Sequence, residues 1–222
     1  MSITEKENSL FRRWRKKRPL AVSDGLVNER LYKSSSLKIL FVMKETNNTP
    51  TGFDLREFLR KPIRPQTWDN VARWLTGIAS LHRDIPWKQL ASVSDSHRAK
   101  MLGPIAVMNL KKIPGGHTTI NDNLRLHARE DAGLLAEQFR LYKPDLVICC
   151  GTVVAEILSG IISIDHPSEW PTTSRGISYW PMKERGHIVS YAHPEARVDD
   201  CLIFYGLIDA IRELRRNRRK AA

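Results

Sequence analysis

The sequence predicts an α/β protein: a three-layer α/β/α sandwich around a central, mainly parallel four-stranded sheet. Three observations predict it. The segments 37–43, 104–108 and 146–150 are short, mostly apolar runs of strand length, as expected of strands covered on both faces. Segments with helical periodicity alternate with them. Each run is followed by a polar or glycine-containing stretch, so loops fall at the strand ends.

Taken in order, 5–18 and 24–32 read as helices separated by Pro19 and by Ser23-Asp24-Gly25, with Ser23 or Asp24 able to cap the second. The first strand, 37–43, leads into the polar loop 44–53. Helices are expected over 54–60 and 67–80, the latter with Trp68, Val71, Leu75 and Ile78 on one face. A helix over 94–101 precedes the second strand, 104–108, and the loop Asn109 to His117. A long helix over 123–142 carries Leu134, Leu135, Gln138 and Leu141 near one stripe. The third strand, 146–150, turns at Gly151-Thr152 into a helix over 153–161. Segments 177–182 and 188–191 form a hairpin-like pair, and the last helix covers 199–216.

The 222 residues suit one main domain, and 41% hydrophobic with 27% charged is an ordinary globular balance. The expected organisation is a basic helical extension over 1–36, the α/β/α domain over 37–214 and a basic tail over 215–222. No run approaches the roughly 18 apolar residues of a membrane helix. The first ten residues lack the apolar stretch of a secretory signal. With Cys149 and Cys150 adjacent in an apolar run and only Cys201 besides, disulfides are not expected and the cytoplasm is the expected location.

The net charge of +12 is concentrated near the two ends. Residues 11–18 hold six Lys/Arg and no acid; residues 212–220 hold six with one acid, Glu213. Basic ends around a nearly balanced body suit a polyanion held through its phosphates. Arg12, Arg13, Arg15 and Lys16 are the candidate backbone contacts, with Trp14 placed to stack or wedge. A solubilising helix face is the competing reading.

In open parallel sheets, ligands bind beyond the carboxyl ends of the strands, here at loops 44–53, 109–117, 151–152 and 192–197. None of these loops carries G-x-G-x-x-G or G-x-x-x-x-G-K-[ST], which argues against a dinucleotide or P-loop nucleotide site. They offer Lys44, Glu45, Asn47, Asn48, Asn109, His193 and Arg197 instead. A carboxylate, an amide and an imidazole on one face suit recognition of a base and hydrolysis of a polar bond.

Four segments, ILFVMKETNN, AVMNLKKIPGG, DLVICCGTVVAEIL and IVSYAHPEAR, resemble in order the motifs of the uracil-DNA glycosylase superfamily, over roughly residues 37–214. The resemblance implies base flipping and cleavage of an N-glycosidic bond. By position, Glu45 matches the residue that orients water and offsets charge on the sugar. Asn109 matches the base-reading asparagine, and His193 the histidine that stabilises the departing base. Phe58, with Phe53 in reserve, matches the phenylalanine that stacks on the base. Arg197 matches the wedge of the penetrating loop, and Lys111 and Lys112 are expected to meet phosphates. Two departures matter. Asn47 replaces the bulky tyrosine of the uracil-specific branch, which leaves room for a C5 substituent. Glu195 replaces the usual serine of the His-Pro loop.

The implied activity is that of a monofunctional DNA glycosylase acting on a C5-modified pyrimidine. Prokaryotic antiviral glycosylases that excise glucosylated hydroxymethylcytosine from phage DNA are the branch it looks most similar to. No cofactor or metal is expected: three cysteines cannot make a four-cysteine cluster, and no histidine has zinc spacing. A monomer with DNA as its partner is the expected state. A non-catalytic nucleic-acid binder on the same fold, and a hydrolase of free nucleosides or nucleotides, stay open at this point.

Overall fold

A computed structural model describes residues 1–61, 66–116, 118–163, 170–182 and 186–221, without side chains beyond 217. The chain opens with α1 (Ile3–Lys17), started by a capping box in which Ser2 Oγ accepts from the Glu5 N–H and Glu5 accepts from the Ser2 N–H. Then follow β1 (Gly25–Leu26), α2 (Glu29–Ser34), β2 (Ile39–Met43), α3 (Leu55–Phe58), α4 (Gln66–Ala79), α5 (Asp95–Leu102) and β3 (Ile105–Asn109). The second half contains α6 (Asn121–Glu130), α7 (Ala132–Tyr142), β4 (Leu146–Cys150), α8 (Thr152–Ile161), β5 (Tyr179–Pro181), β6 (His187–Tyr191) and α9 (Asp200–Ala221).

The sheet is mixed and six-stranded, in the order β1-β3-β2-β4-β6-β5, which corrects the four-stranded expectation. The central four strands, β3, β2, β4 and β6, are parallel, and each edge strand is antiparallel to its neighbour. The extra edge, β1, is only two residues long and falls where a helix was expected over 24–32. Its ladder to Val107 and Ala106 comes from tertiary pairing and carries no local periodicity. Helix α2 consequently starts later, capped by Asn28, whose side chain accepts from the Leu31 N–H.

Strand alternation sorts the core onto two faces. Ile39, Phe41, Met43, Ile105 and Val107 pack with residues of α4 and α9, including Trp74, Phe204 and Leu207. Leu40, Val42, Ala106 and Met108 pack with residues of α1, α6, α7 and α8, including Trp14, Leu124, Leu135 and Leu158. Segment 1–36, expected as an extension, thus supplies an edge strand and core side chains. Leu10, Phe11 and Trp14 of α1 are buried, with the Phe11 and Trp14 rings stacked 5.4 Å apart. Trp14 is therefore core and is not available to stack on or wedge into a ligand.

The single helix expected over 123–142 is two, broken at Asp131. That buried carboxylate accepts from Lys17 Nζ at 3.0 Å and Arg18 Nε at 2.9 Å, a demand made by α1 from the other end of the chain. No helix among the described residues is long and apolar enough to cross a membrane.

Candidate functional site

Because β3, β2, β4 and β6 run parallel, their carboxyl ends share one edge of the sheet. The ladders align Met43 with Asn109, Val42 with Cys149, and Cys150 with Tyr191. Glu45 and His193 each stand two residues past this line, on β2 and β6. Those strands are separated by β4, so their spacing is about 10 Å, two strand intervals. The end of β4 lies between them and carries Gly151, at φ +126°, a conformation that an L side chain resists. Lys44 extends over this glycine, its Cε 3.8 Å from where a Cβ would stand.

Glu45 is held by a second zipper. Past the strand ends, β2 and β3 continue to pair irregularly: Leu110 N–H donates to Met43 O, Lys111 N–H to Lys44 O, Gly115 N–H to Thr46 O and Asn48 N–H to Gly115 O. Gly115 accepts the Glu45 carboxylate so closely that a Cβ there would run into Oε1. Lys111 Nζ lies 2.6 Å from Glu45 Oε2, with both side chains largely buried. This contact is off the hydrogen-bonding direction, and Oε2 accepts no hydrogen bond among the described residues. A buried carboxylate oxygen beside a cation but without a hydrogen bond is incompletely satisfied, and a further donor would complete it.

His193 is half-buried, and its Nδ1 accepts the Glu195 N–H at 3.1 Å. Burial holds the imidazole below its ordinary range, with Glu195 opposing and Lys44 adding to the effect. The ring is therefore favoured neutral, and with Nδ1 accepting, the proton sits on Nε2, a donor free to face a ligand atom. Its loop is pinned to α4. Glu195 accepts from the Thr67 N–H at 3.1 Å and from Thr67 Oγ1 at 2.6 Å, and Asn70 Nδ2 donates to Pro194 O at 2.7 Å. Glu195 thus anchors the loop, and Arg197, two residues on, is exposed.

Asn109 ends β3 at 2% exposure. Its backbone N–H and its Nδ2 both donate to Asp24 Oδ2, at 2.8 and 3.2 Å. Asp24 also accepts from Lys112 Nζ at 2.8 Å on each oxygen and from Gln138 Nε2 at 2.7 Å. Burial works to lower the Lys112 ammonium, against the attraction of Asp24. Its Nζ sits 4.9 Å from the Trp14 ring centroid and 5.5 Å from that of Phe11. Next to this cluster, the buried Glu7 accepts from the Leu26 N–H at 2.9 Å and Arg56 Nη1 at 3.0 Å.

Two expectations are corrected. Lys112 is 1% exposed and bound to Asp24, and Lys111 is buried against Glu45, so neither presents a charge to a phosphate. Of the α1 cations, Arg13 is paired with Glu137 at 2.7 Å and Arg15 donates to Ser23 Oγ at 2.5 Å, while Arg12 and Lys16 lie exposed. Phe53 and Phe58 are both half-buried, their rings 5.4 Å apart and tilted, so the two candidates for stacking form one aromatic pair. Asn47 is exposed in the zipper, bridged to Gly115. Sequence reasoning missed Asp24, Glu7 and Arg56. The available signal was Gln138, a polar residue placed within an apolar helical stripe, which marks a buried polar partner.

Among the described residues, no group of three or more His, Cys, Asp or Glu side chains is arranged to hold a metal ion. Compared with known proteins, the chain is matched by no family model and by no curated protein.

Proposed function

We propose that the protein is a monofunctional DNA glycosylase, a three-layer α/β/α enzyme that hydrolyses the N-glycosidic bond of a flipped, C5-modified pyrimidine and leaves an abasic site. The observation that carries this reading is the pair Glu45 and His193, each two residues past the carboxyl end of its parallel strand, on β2 and β6, with β4 and its side-chain-free Gly151 between them.

In the reaction, the bond between C1′ and the base nitrogen breaks and its electron pair leaves with the base. Glu45 offsets the positive charge that develops on the sugar and orients the water whose oxygen bonds to C1′. The water's second proton passes to the carboxylate and on to solvent. His193 donates from Nε2 to the carbonyl oxygen of the departing base, where negative charge accumulates. A neutral imidazole suits this role, because it donates without needing to be charged first. Asn109 reads the base edge, and the Phe53–Phe58 pair supplies the stacking surface. Exposed Asn47 leaves the C5 side open, which favours a substituted pyrimidine, glucosylated hydroxymethylcytosine of phage DNA among them. Arg12, Lys16 and Arg197 are the exposed cations for the backbone.

The test is incubation with DNA carrying cytosine, uracil, 5-hydroxymethylcytosine or glucosylated hydroxymethylcytosine, followed by alkaline cleavage. Strand breaks confined to a C5-modified base are expected, with Glu45→Gln slowing the reaction at least 100-fold, as loss of a positioned acid–base group does. Breaks confined to uracil DNA refute the C5 assignment, and no abasic product from any substrate refutes the glycosylase reading.

A further inference from the structure

We propose that Asp24 is the positioning residue of this site: it locks the side-chain amide of Asn109 in one of its two flip states and so sets which base edge the site accepts. The consequence for substrates rests on the glycosylase reading; the lock itself does not.

The argument begins with donor and acceptor counting. Asp24 receives five contacts, from the Asn109 N–H, Asn109 Nδ2, Gln138 Nε2 and Lys112 Nζ on both oxygens, and every one is from a donor. An ionised carboxylate only accepts, so the end of the Asn109 amide facing it must be the NH2. The reverse orientation would set Oδ1 against a carboxylate oxygen in a fully buried setting, where like partners repel most strongly. Asp24 cannot swing aside to permit this. Lys112, ringed by Phe11 and Trp14, holds both of its oxygens, and Gln138 is itself held by Tyr142 at 2.8 Å. One amide N–H is thereby spent, which leaves Oδ1 and the second N–H in a fixed order.

That order discriminates. A uracil-type ring presents a donor at N3 and an acceptor at position 4, whereas a cytosine-type ring presents an acceptor at N3 and a donor at position 4. An amide free to turn over satisfies both, and a locked amide satisfies one. The residue that chooses between them belongs to the segment before the first parallel strand, not to any of the strand-end loops.

The first measurement uses the unaltered protein. In its NMR spectrum, the Asn109 side-chain amide, assigned by its loss in Asn109→Ala, should show one hydrogen that exchanges with solvent at least tenfold more slowly than those of exposed Asn8 and Asn48. Exchange as fast as theirs overturns the lock. The second measurement compares Asp24→Asn with Asp24→Asn/Lys112→Met, which removes the buried cation together with its partner and keeps a folded protein within reach. With thermal melting used to verify folding, the ratio of kcat/KM for cytosine-type over uracil-type DNA should move at least tenfold toward unity, with KM for the DNA changed less than threefold. An unchanged ratio in a folded variant overturns the proposal, and so does a uniform loss on both DNAs, which a purely structural role would give. If the unaltered protein releases neither base, the glycosylase reading falls, while the exchange measurement still decides the lock.

Discussion

Lys111 and Lys112 are neighbours in sequence, yet each enters a different electrostatic region. Lys112 turns toward the N-terminal segment, where Asp24 is fully buried and accepts from the donors of Asn109, Lys112 and Gln138. Lys111 turns toward the strand-end loops, where it approaches Glu45 at 2.6 Å but leaves Oε2 without a hydrogen bond among the described residues. The Asp24 carboxylate is saturated and the Glu45 carboxylate is not, although Gln138, which donates to Asp24, keeps its own buried Oε1 without a hydrogen bond among the described residues. A saturated buried network rigidifies its surroundings, while an incompletely satisfied one retains the capacity to take a new partner. On the proposed reading, this difference suits Glu45 to chemistry and Asp24 to support, although both are acids paired with lysine.

The largest expected effect tests that contrast directly. Lys112→Met leaves the Asp24 carboxylate buried without its counter-ion and should destabilise the protein by about 3–5 kcal/mol, the usual result of breaking a buried pair from one side. Lys111→Met should cost less, on the order of 1–2 kcal/mol, because Glu45 sits in a loop beside exposed residues and has fewer bonds to lose. It should nevertheless slow any base release strongly. Urea midpoints for the two variants provide the measurement. Equal losses of stability would erase the distinction between the regions.

The next effect concerns Glu7, which lies beside the saturated region. Burial pushes its carboxyl up to about 7, against the pull of the Leu26 N–H and Arg56. A carboxyl with a raised folded-state pKa binds its proton more tightly folded than unfolded. Its contribution to stability is therefore full below the unfolded value near 4.5 and is lost as pH rises through about 7. Between pH 5.5 and 7.5 the loss should be about 2 kcal/mol, from 1.36 kcal/mol per pKa unit. The half-buried His193, with its imidazole held below the ordinary range, slopes the other way, so the informative quantity is the difference between the parent protein and Glu7→Gln. The two stability curves should diverge by that amount across the window. Parallel curves would mean that Arg56 keeps Glu7 charged throughout.

These two regions were not equally legible in the sequence. The strand 146–150 was read residue for residue, because a buried parallel strand is a local apolar run and needs nothing else to be seen. Glu45, Asn109 and His193 were placeable because they follow such runs. Strand β1 was not visible, since two residues have no period and exist as a strand only through Val107 and Ala106. The break at Asp131 follows from Lys17 and Arg18, more than a hundred positions earlier. For the same reason, nothing local distinguishes Lys111 from Lys112. Which of two adjacent lysines turns inward depends on where Asp24 stands, and Asp24 looked like a helix cap.

The smallest effect sharpens what α1 does on its outer face. Its inner face, Leu10, Phe11 and Trp14, fixes the helix on the core, so its outer cations are held at set positions and do not swing as a free arm would. Arg13, Lys17 and Arg18 already face acids of α6 and α7 or the Asp131 between them. Arg12 and Lys16 are exposed four residues apart, on one side of the helix. If that side lies along DNA, removing either charge should make the salt dependence of binding shallower by about 1 in log–log slope, as losing one phosphate contact does. Arg13→Ala, which releases Glu137 from an existing pair, should change the slope less. Titrations of duplex DNA over a range of salt concentrations separate the cases. Identical slopes for Arg12→Ala, Lys16→Ala and the parent protein would take α1 off the DNA face and leave its charge as a solvated surface over the saturated core.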